Sequence, residues 1–137
     1  MERIICSSFV KGNLISEPYK FIDEIANAGT SIITFHYKTG KDVYKIIQMV
    51  RRYKDVKVGI ALRPYTHLDL IIPFIESLDM ILLMSYSSGI FNQKIVPNFE
   101  KRIKKARDLA VKFDRENIDI AIDGGITLDN LKKYKKS

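Results

Sequence analysis

Ile118-Asp-Ile-Ala-Ile-Asp-Gly-Gly-Ile126 reads as a buried strand that ends in an acid and two glycines. Ile118, Ile120 and Ile122 are β-branched and mark the strand. Asp119 interrupts the run near its start, which suits the rim of a sheet better than its middle. Thr127-Leu-Asp-Asn130 then opens a helix. A strand, Asp-Gly-Gly and a helix in succession is how α/β folds present a carboxylate and bare backbone N–H groups at the carboxyl end of a sheet. Glycine lets a phosphate approach the backbone, and a helix N-terminus favours its charge. Taken alone, Asp-Gly-Gly is also a plain tight turn.

Working outward, the same alternation recurs along the chain. Residues 3–10 read as a first strand. Pro18 sits in the first turn of a helix with Ser16 as N-cap, and Tyr19, Ile22, Ile25 and Ala26 keep helical spacing up to a stop at Gly29. A short apolar strand over 31–36 ends in His36. A helix over 41–53 carries Val43, Ile46, Ile47 and Val50, and 57–62 is the next strand. After a loop at 63–66 come a very apolar helix over 68–78, a strand over 79–85 and the longest loop, 86–97. Residues 99–112 form a long basic helix with Ile103, Ala106, Ala110 and Phe113 inward, and 128–135 form a terminal helix. The strands are apolar throughout rather than alternating, as in a parallel sheet covered on its faces. Two α/β architectures fit: a doubly wound sheet, or part of a (β/α)₈ barrel. The chain's 137 residues are one domain, 1–137, and too few for the eight βα units of a complete barrel, which needs at least about 200 residues.

Composition narrows the class. Hydrophobic residues are 46% and charged residues 28%, the proportions of an ordinary globular domain. No apolar run is long enough to span a membrane, and the first residues are too weakly apolar for a signal peptide, so no membrane association is expected. The single Cys6 excludes an internal disulfide and fits a reducing, cytoplasmic setting. The net charge of +7 is concentrated in Lys101-Arg-Ile-Lys-Lys105 and Lys132-Lys-Tyr-Lys-Lys136. Both runs lie in helical patterns without aromatic interleaving. They read as solvated helix faces, and no nucleic-acid partner is expected.

In either architecture the chemistry sits where strands end. The strand ends supply His36, Pro64 with Thr66, Met84 with Ser85, and Asp123 with Gly124 and Gly125. His36 is either a hydrogen-bonded core histidine or a metal ligand that needs an acid from another strand. Asp123 is such an acid, and His with Asp suits Zn²⁺, Fe²⁺ or Mn²⁺.

Six segments together carry a resemblance: 14–22, Asn27-Ala-Gly29, Ile32-Ile-Thr-Phe-His-Tyr37, Gly59-Ile-Ala-Leu-Arg-Pro-Tyr-Thr66, Asp79-Met-Ile-Leu-Leu-Met84 and Ile122-Asp-Gly-Gly-Ile126. Their order and spacing resemble the ribulose-phosphate 3-epimerase family from about Leu14 onward. The resemblance implies a TIM barrel, of which this chain holds about five βα units, roughly strands three to seven. It implies metal-assisted epimerisation at C3 of a phosphorylated ketose, in pentose phosphate metabolism. In that reaction one carboxylate removes the C3 proton, a divalent metal stabilises the enediolate, and a second carboxylate returns the proton on the opposite face. By the same resemblance, His36 and Asp123 match metal ligands and Asp123 also matches an acid/base. Met84 matches a methionine beside the enediolate. Gly89 and Gln93 fall in the loop that contacts substrate, and Gly124 and Gly125 match backbone that approaches the phosphate.

The departures shape the expectation as much as the matches. The family's second strand carries a His-x-Asp that supplies two further ligands and the second acid/base, and the chain is read as having no counterpart. The family's third strand ends in His-Leu-Met where this chain has Gly12-Asn13-Leu14, and the eighth strand would lie beyond Ser137. Two of four ligands and one of two acids remain, so any Zn, Fe or Mn ion is expected to be held weakly. The reading is an epimerase-like isomerase whose activity on its own is in doubt. The alternative is a non-catalytic remnant or phosphosugar-binding module of the same fold. Five strands leave two open edges, so a homo-oligomer or another chain completing the barrel is expected.

Overall fold

The computed structural model of the chain describes residues 5–7, 18–37, 42–86, 95–124, 128, 129 and 132. Five strands, β1 (Ile5–Ser7), β2 (Ile32–His36), β3 (Lys57–Leu62), β4 (Met80–Met84) and β5 (Asp119–Asp123), make one sheet. Its order is β1-β2-β3-β4-β5, and every neighbouring pair is parallel. Each strand thus lies beside its predecessor. A doubly wound sheet reverses this order at a switch point; no reversal occurs here. With right-handed crossovers, the near-universal hand, every connection falls on one face, as in a closing barrel. The architecture is α/β, an arc of a (β/α)₈ barrel.

Three α-helices and a 3₁₀ segment fill the connections. Helix α1 (Pro18–Asn27) opens on Pro18 and is followed by Gly29 at φ 92°, a left-handed conformation that glycine adopts without steric cost. In α2 (Asp42–Arg51), Val43, Ile47 and Val50 are buried at helical spacing, while Tyr44 faces outward. Helix α3 (Phe99–Lys112) buries Phe99, Ile103, Ala106 and Ala110, and its lysines are exposed while Arg102 and Arg107 are half-buried. Asn98 and Asp114, both at positive φ, bracket it.

These faces meet every second residue of the strands. Ile33 and Phe35, then Val58, Ile60 and Leu62, then Ile81 and Leu83 join one buried cluster with the helices, and Ile120 and Ile122 pack against it. The registers align them in rows, such as Phe35, Ile60, Ile81 and Ile120. The intervening residues, among them Thr34, Gly59, Met80 and Asp119, line the opposite face, the interior side of a barrel. Gly59 is required there: a Cβ would lie 2.7 Å from the Thr34 hydroxyl oxygen and 3.1 Å from Met80 Cε.

Two expectations change. The apolar 68–78 helix is a 3₁₀ segment, Leu68–Ser77, with Pro73 inside it. Proline lacks the N–H that an α-helix needs at that point, and its ring clashes with the preceding turn. The sequence also makes β5 a buried strand. Ile118, just before it, is buried, but Asp119 is exposed and 120–123 are only half-buried. β5 is an edge of the described sheet and pairs only with β4. The 86–97 loop and the terminal helix fall mostly outside the described residues. Among the described residues no helix is long and apolar enough to cross a membrane.

Candidate active site at the strand ends

Parallel strands put all their carboxyl ends together, and three candidate residues are last in their strands: His36 in β2, Met84 in β4 and Asp123 in β5. Register puts all three on the interior face. His36 stands in a row with Ala61, Leu82 and Ala121, and Met84 pairs directly with Asp123 two residues further on. All three are half-buried. Met84 and Asp123 are cross-strand neighbours. His36 is three strands from Asp123, about 14 Å measured along a sheet.

The Met84–Asp123 end is fixed through the backbone. Ser85 is fully buried just past β4. Its N–H donates to the Asp123 carbonyl at 2.9 Å. Its hydroxyl lies 2.8 Å from the same oxygen and 3.1 Å from the Gly124 carbonyl. The Ser85 carbonyl in turn accepts from Val96 N–H at 3.0 Å, tying in the approach to α3. Ser85 is a positioning residue that the sequence reading noted only as a strand end. A hydroxyl placed directly after an apolar strand, where a buried polar group needs partners, was the available signal. Gly124 has φ 108°, and a Cβ there would come within 2.6 Å of Ser85 Oγ and 2.9 Å of the Tyr86 ring. Backbone conformation and close packing therefore account for this glycine without reference to phosphate. Gly89, Gln93 and Gly125 lie outside the described residues.

The carboxylate of Asp123 has no hydrogen bond or ion pair among the described residues, which leaves it available to a reacting group. A divalent ion is a different matter. Metal sites generally draw three or four protein ligands into contact with the ion. Among the described residues no group of three His, Cys, Asp or Glu side chains comes together. Those residues by themselves do not fit a metal ion. The sequence does contain one His-x-Asp that its reading passed over, His67-Leu-Asp69. It does not restore the missing ligands. His67 precedes the 3₁₀ segment and Asp69 lies in its first turn, exposed and 3.9 Å from Lys105, in the outer layer rather than on the interior face of a strand.

Comparison with known proteins bears on the chain as a whole. The sequence profile of the ribulose-phosphate 3 epimerase family matches residues 11–137. The ribulose-phosphate 3-epimerase of Schizosaccharomyces pombe is 35% identical over 115 residues, 84% of this chain and 48% of that protein. The protein of that name from Buchnera aphidicola subsp. Baizongia pistaciae is 37% identical over 112 residues, 82% of this chain and 48% of its own length. The one from Bacillus subtilis is 29% identical over 113 residues, 82% and 52% of the two chains. The chain thus spans about half the length of the curated relatives it matches. A singly wound parallel sheet, an acid and a glycine at one strand end, and a profile match over nearly the whole sequence agree: this chain belongs to the ribulose-phosphate 3-epimerase family.

Proposed function

We propose that this chain carries one half of the machinery for epimerising a phosphorylated ketose, with Asp123 as its acid/base. The observation that supports this best is the Met84–Asp123 pair, side by side on the interior face at the carboxyl end, with a carboxylate that has no partner among the described residues. Asp123 takes the proton from C3, next to the C2 ketone, and an enediolate remains. The same carboxyl group returns a proton to the same face. Inversion needs a second acid on the other face of the sugar. In the family a divalent metal supplies Lewis-acid stabilisation of the enediolate. The described residues do not fit one, and His36 and Asp123 alone would hold Zn²⁺, Fe²⁺ or Mn²⁺ weakly. In this reading Met84 packs beside the enediolate and Gly124 lies toward the phosphate; Gly89, Gln93 and Gly125 are assigned to the substrate by the family resemblance alone. A second copy or another chain closes the barrel in this reading and brings the second acid. The setting is cytoplasmic.

Proton exchange and inversion can be measured separately. A ketopentose 5-phosphate is incubated with the chain in D₂O and followed by NMR. Deuterium should enter at C3 with little formation of the C3 epimer, and Asp123→Asn should abolish the exchange. Exchange that persists in Asp123→Asn would remove Asp123 from the reaction. No exchange at all, with the sugar phosphate still bound, would favour the binding-module reading.

A further inference from the structure

The turn after β3 and the first two turns of α3 enclose a cleft of about 280 Å³. Residues 64–68 form one wall, and Lys101, Arg102 and Lys105 form the other. The charges are placed against the usual rule. A helix N-terminus is itself positive and favours acids, yet α3 puts Lys101 and Arg102 in its first turn, with Glu100 as the only acid there. Arg102 is not on a solvated face, as the sequence pattern implies, but half-buried. One of its terminal nitrogens donates to the Arg63 carbonyl at 2.9 Å, and its Nε is buried with no partner. Burial pushes the guanidinium below its ordinary pKa. Asp69, from the facing side, pairs with Lys105 at 3.9 Å, with both side chains more than half exposed. Such a pair contributes little. Lys101 makes no ion pair among the described residues.

We propose that this cleft binds the phosphoryl group of a small molecule. Three cations and a positive helix end suit a dianion better than a single carboxylate. The guanidinium of Arg102 adds its charge to the same wall as Lys101 and Lys105, which add point charge. The Thr66 hydroxyl on the facing wall offers a further donor. The cations converge on one cleft rather than running as a stripe along a face, which separates this site from a nucleic-acid surface. It uses none of His36, Met84 and Asp123 and does not rest on the epimerase reading.

The probe is inorganic phosphate, titrated into the ¹⁵N-labelled chain at constant ionic strength. Saturable shifts are expected in the amides of Thr66, His67, Leu68, Lys101 and Arg102. Lys101 and Lys105 are exposed, so Lys101→Gln/Lys105→Gln should leave the fold intact and weaken binding by about tenfold or more. Arg102→Lys keeps the charge and should weaken it by a smaller factor. A ketopentose 5-phosphate in the same titration separates the sources. Equal affinity identifies the phosphoryl group alone as what is held, and tighter binding adds the sugar; both uphold the site. Shifts that rise linearly and equally in the parent and the double variant would show only diffuse attraction to a basic face and overturn the proposal. Shifts confined to Gly124 would also overturn it.

Discussion

At the amino end of the sheet, the Asp79 carboxylate accepts from the Val58 N–H at 3.0 Å and lies between Arg51 at 3.7 Å and Arg115 at 4.0 Å. At the carboxyl end, the Asp123 carboxylate has no partner among the described residues. The contrast extends to the neighbours. Arg51 also donates to the Ser77 carbonyl, Arg115 to the Leu78 carbonyl at 2.6 Å, and Arg107 to the carbonyls of Glu116 and Ile118. One carboxylate and three guanidiniums thus gather α2, β3, β4 and the turn before β5. Among the described residues the carboxyl end is joined largely through backbone groups, the Ser85 hydroxyl and the single guanidinium of Arg102 on the Arg63 carbonyl, as in Ser85 to Asp123 and Tyr37 N–H to the Ala61 carbonyl at 2.9 Å. In barrels of this kind the amino end serves stability and the carboxyl end chemistry. Here the difference lies in whether charged side chains are used up by the protein or left over.

The largest effect expected from this contrast is at Asp79. Asp79→Ala removes an acceptor from the Val58 N–H and strands Arg51 and Arg115 beside each other. Hydrogen bonds to a charged group contribute about 1.5–3 kcal/mol, and partial exposure of the arginines reduces the ion-pair share. A loss of about 3 kcal/mol in urea denaturation is expected, with an unchanged slope. A loss below about 1 kcal/mol would mean that the amino end is not held by this cluster, and the contrast between the ends would fail.

Gly124→Ala should come next and should act locally. Its φ of 108° strains any residue with a Cβ, and the added methyl would meet Ser85 Oγ and the Tyr86 ring. Strain of this kind costs about 1–3 kcal/mol. Because Gly124 follows an edge strand, hydrogen exchange should rise at Ser85 and 120–123 while the amides of β2 and β3 keep their protection. Uniform loss of protection across the sheet would show that the two ends unfold as one unit.

The sequence made some of this legible and not the rest, for reasons that differ by residue. β3 and α3 fall where the sequence puts them because each is a run of one period bounded by charged or turn residues. The 3₁₀ segment was missed in type because Leu68, Ile71, Ile75 and Leu78 are spaced as one face of an α-helix, and only Pro73 signals the departure. Strand order was not legible locally at all. A βα pattern is the same in a doubly wound sheet and a barrel, and only the family resemblance favoured the barrel. The half-burial of β5 follows from its edge position, which no residue in Ile118–Ile126 encodes. His36, Met84 and Asp123 were legible as strand ends, and register puts them on one face. The Asp79 cluster was invisible because its partners are brought together only by the fold. Arg102 was misread as solvated because helical periodicity gives a face but not what packs against it.

The smallest effect expected is at Asp123, and it tests the carboxyl end most directly. The backbone of Asp123 is well held: its carbonyl accepts from the Ser85 N–H, and its strand pairs with β4 through Met84. Its side chain is half-buried and bonds to nothing among the described residues. Asp123→Asn keeps the size and shape of the side chain and removes only the charge. A substitution that breaks no packing, cap or pair usually changes stability by no more than about 0.5 kcal/mol. The expected result is therefore a denaturation midpoint close to that of the parent chain. A small gain is also consistent, since relieving an uncompensated charge at an edge strand removes a modest desolvation cost. A loss above about 1.5 kcal/mol would give Asp123 a structural partner and make the two ends alike, each an acid consumed by the fold. A neutral result together with loss of C3 exchange would separate the residue's two halves: a backbone that belongs to the sheet, and a carboxylate that the sheet does not use.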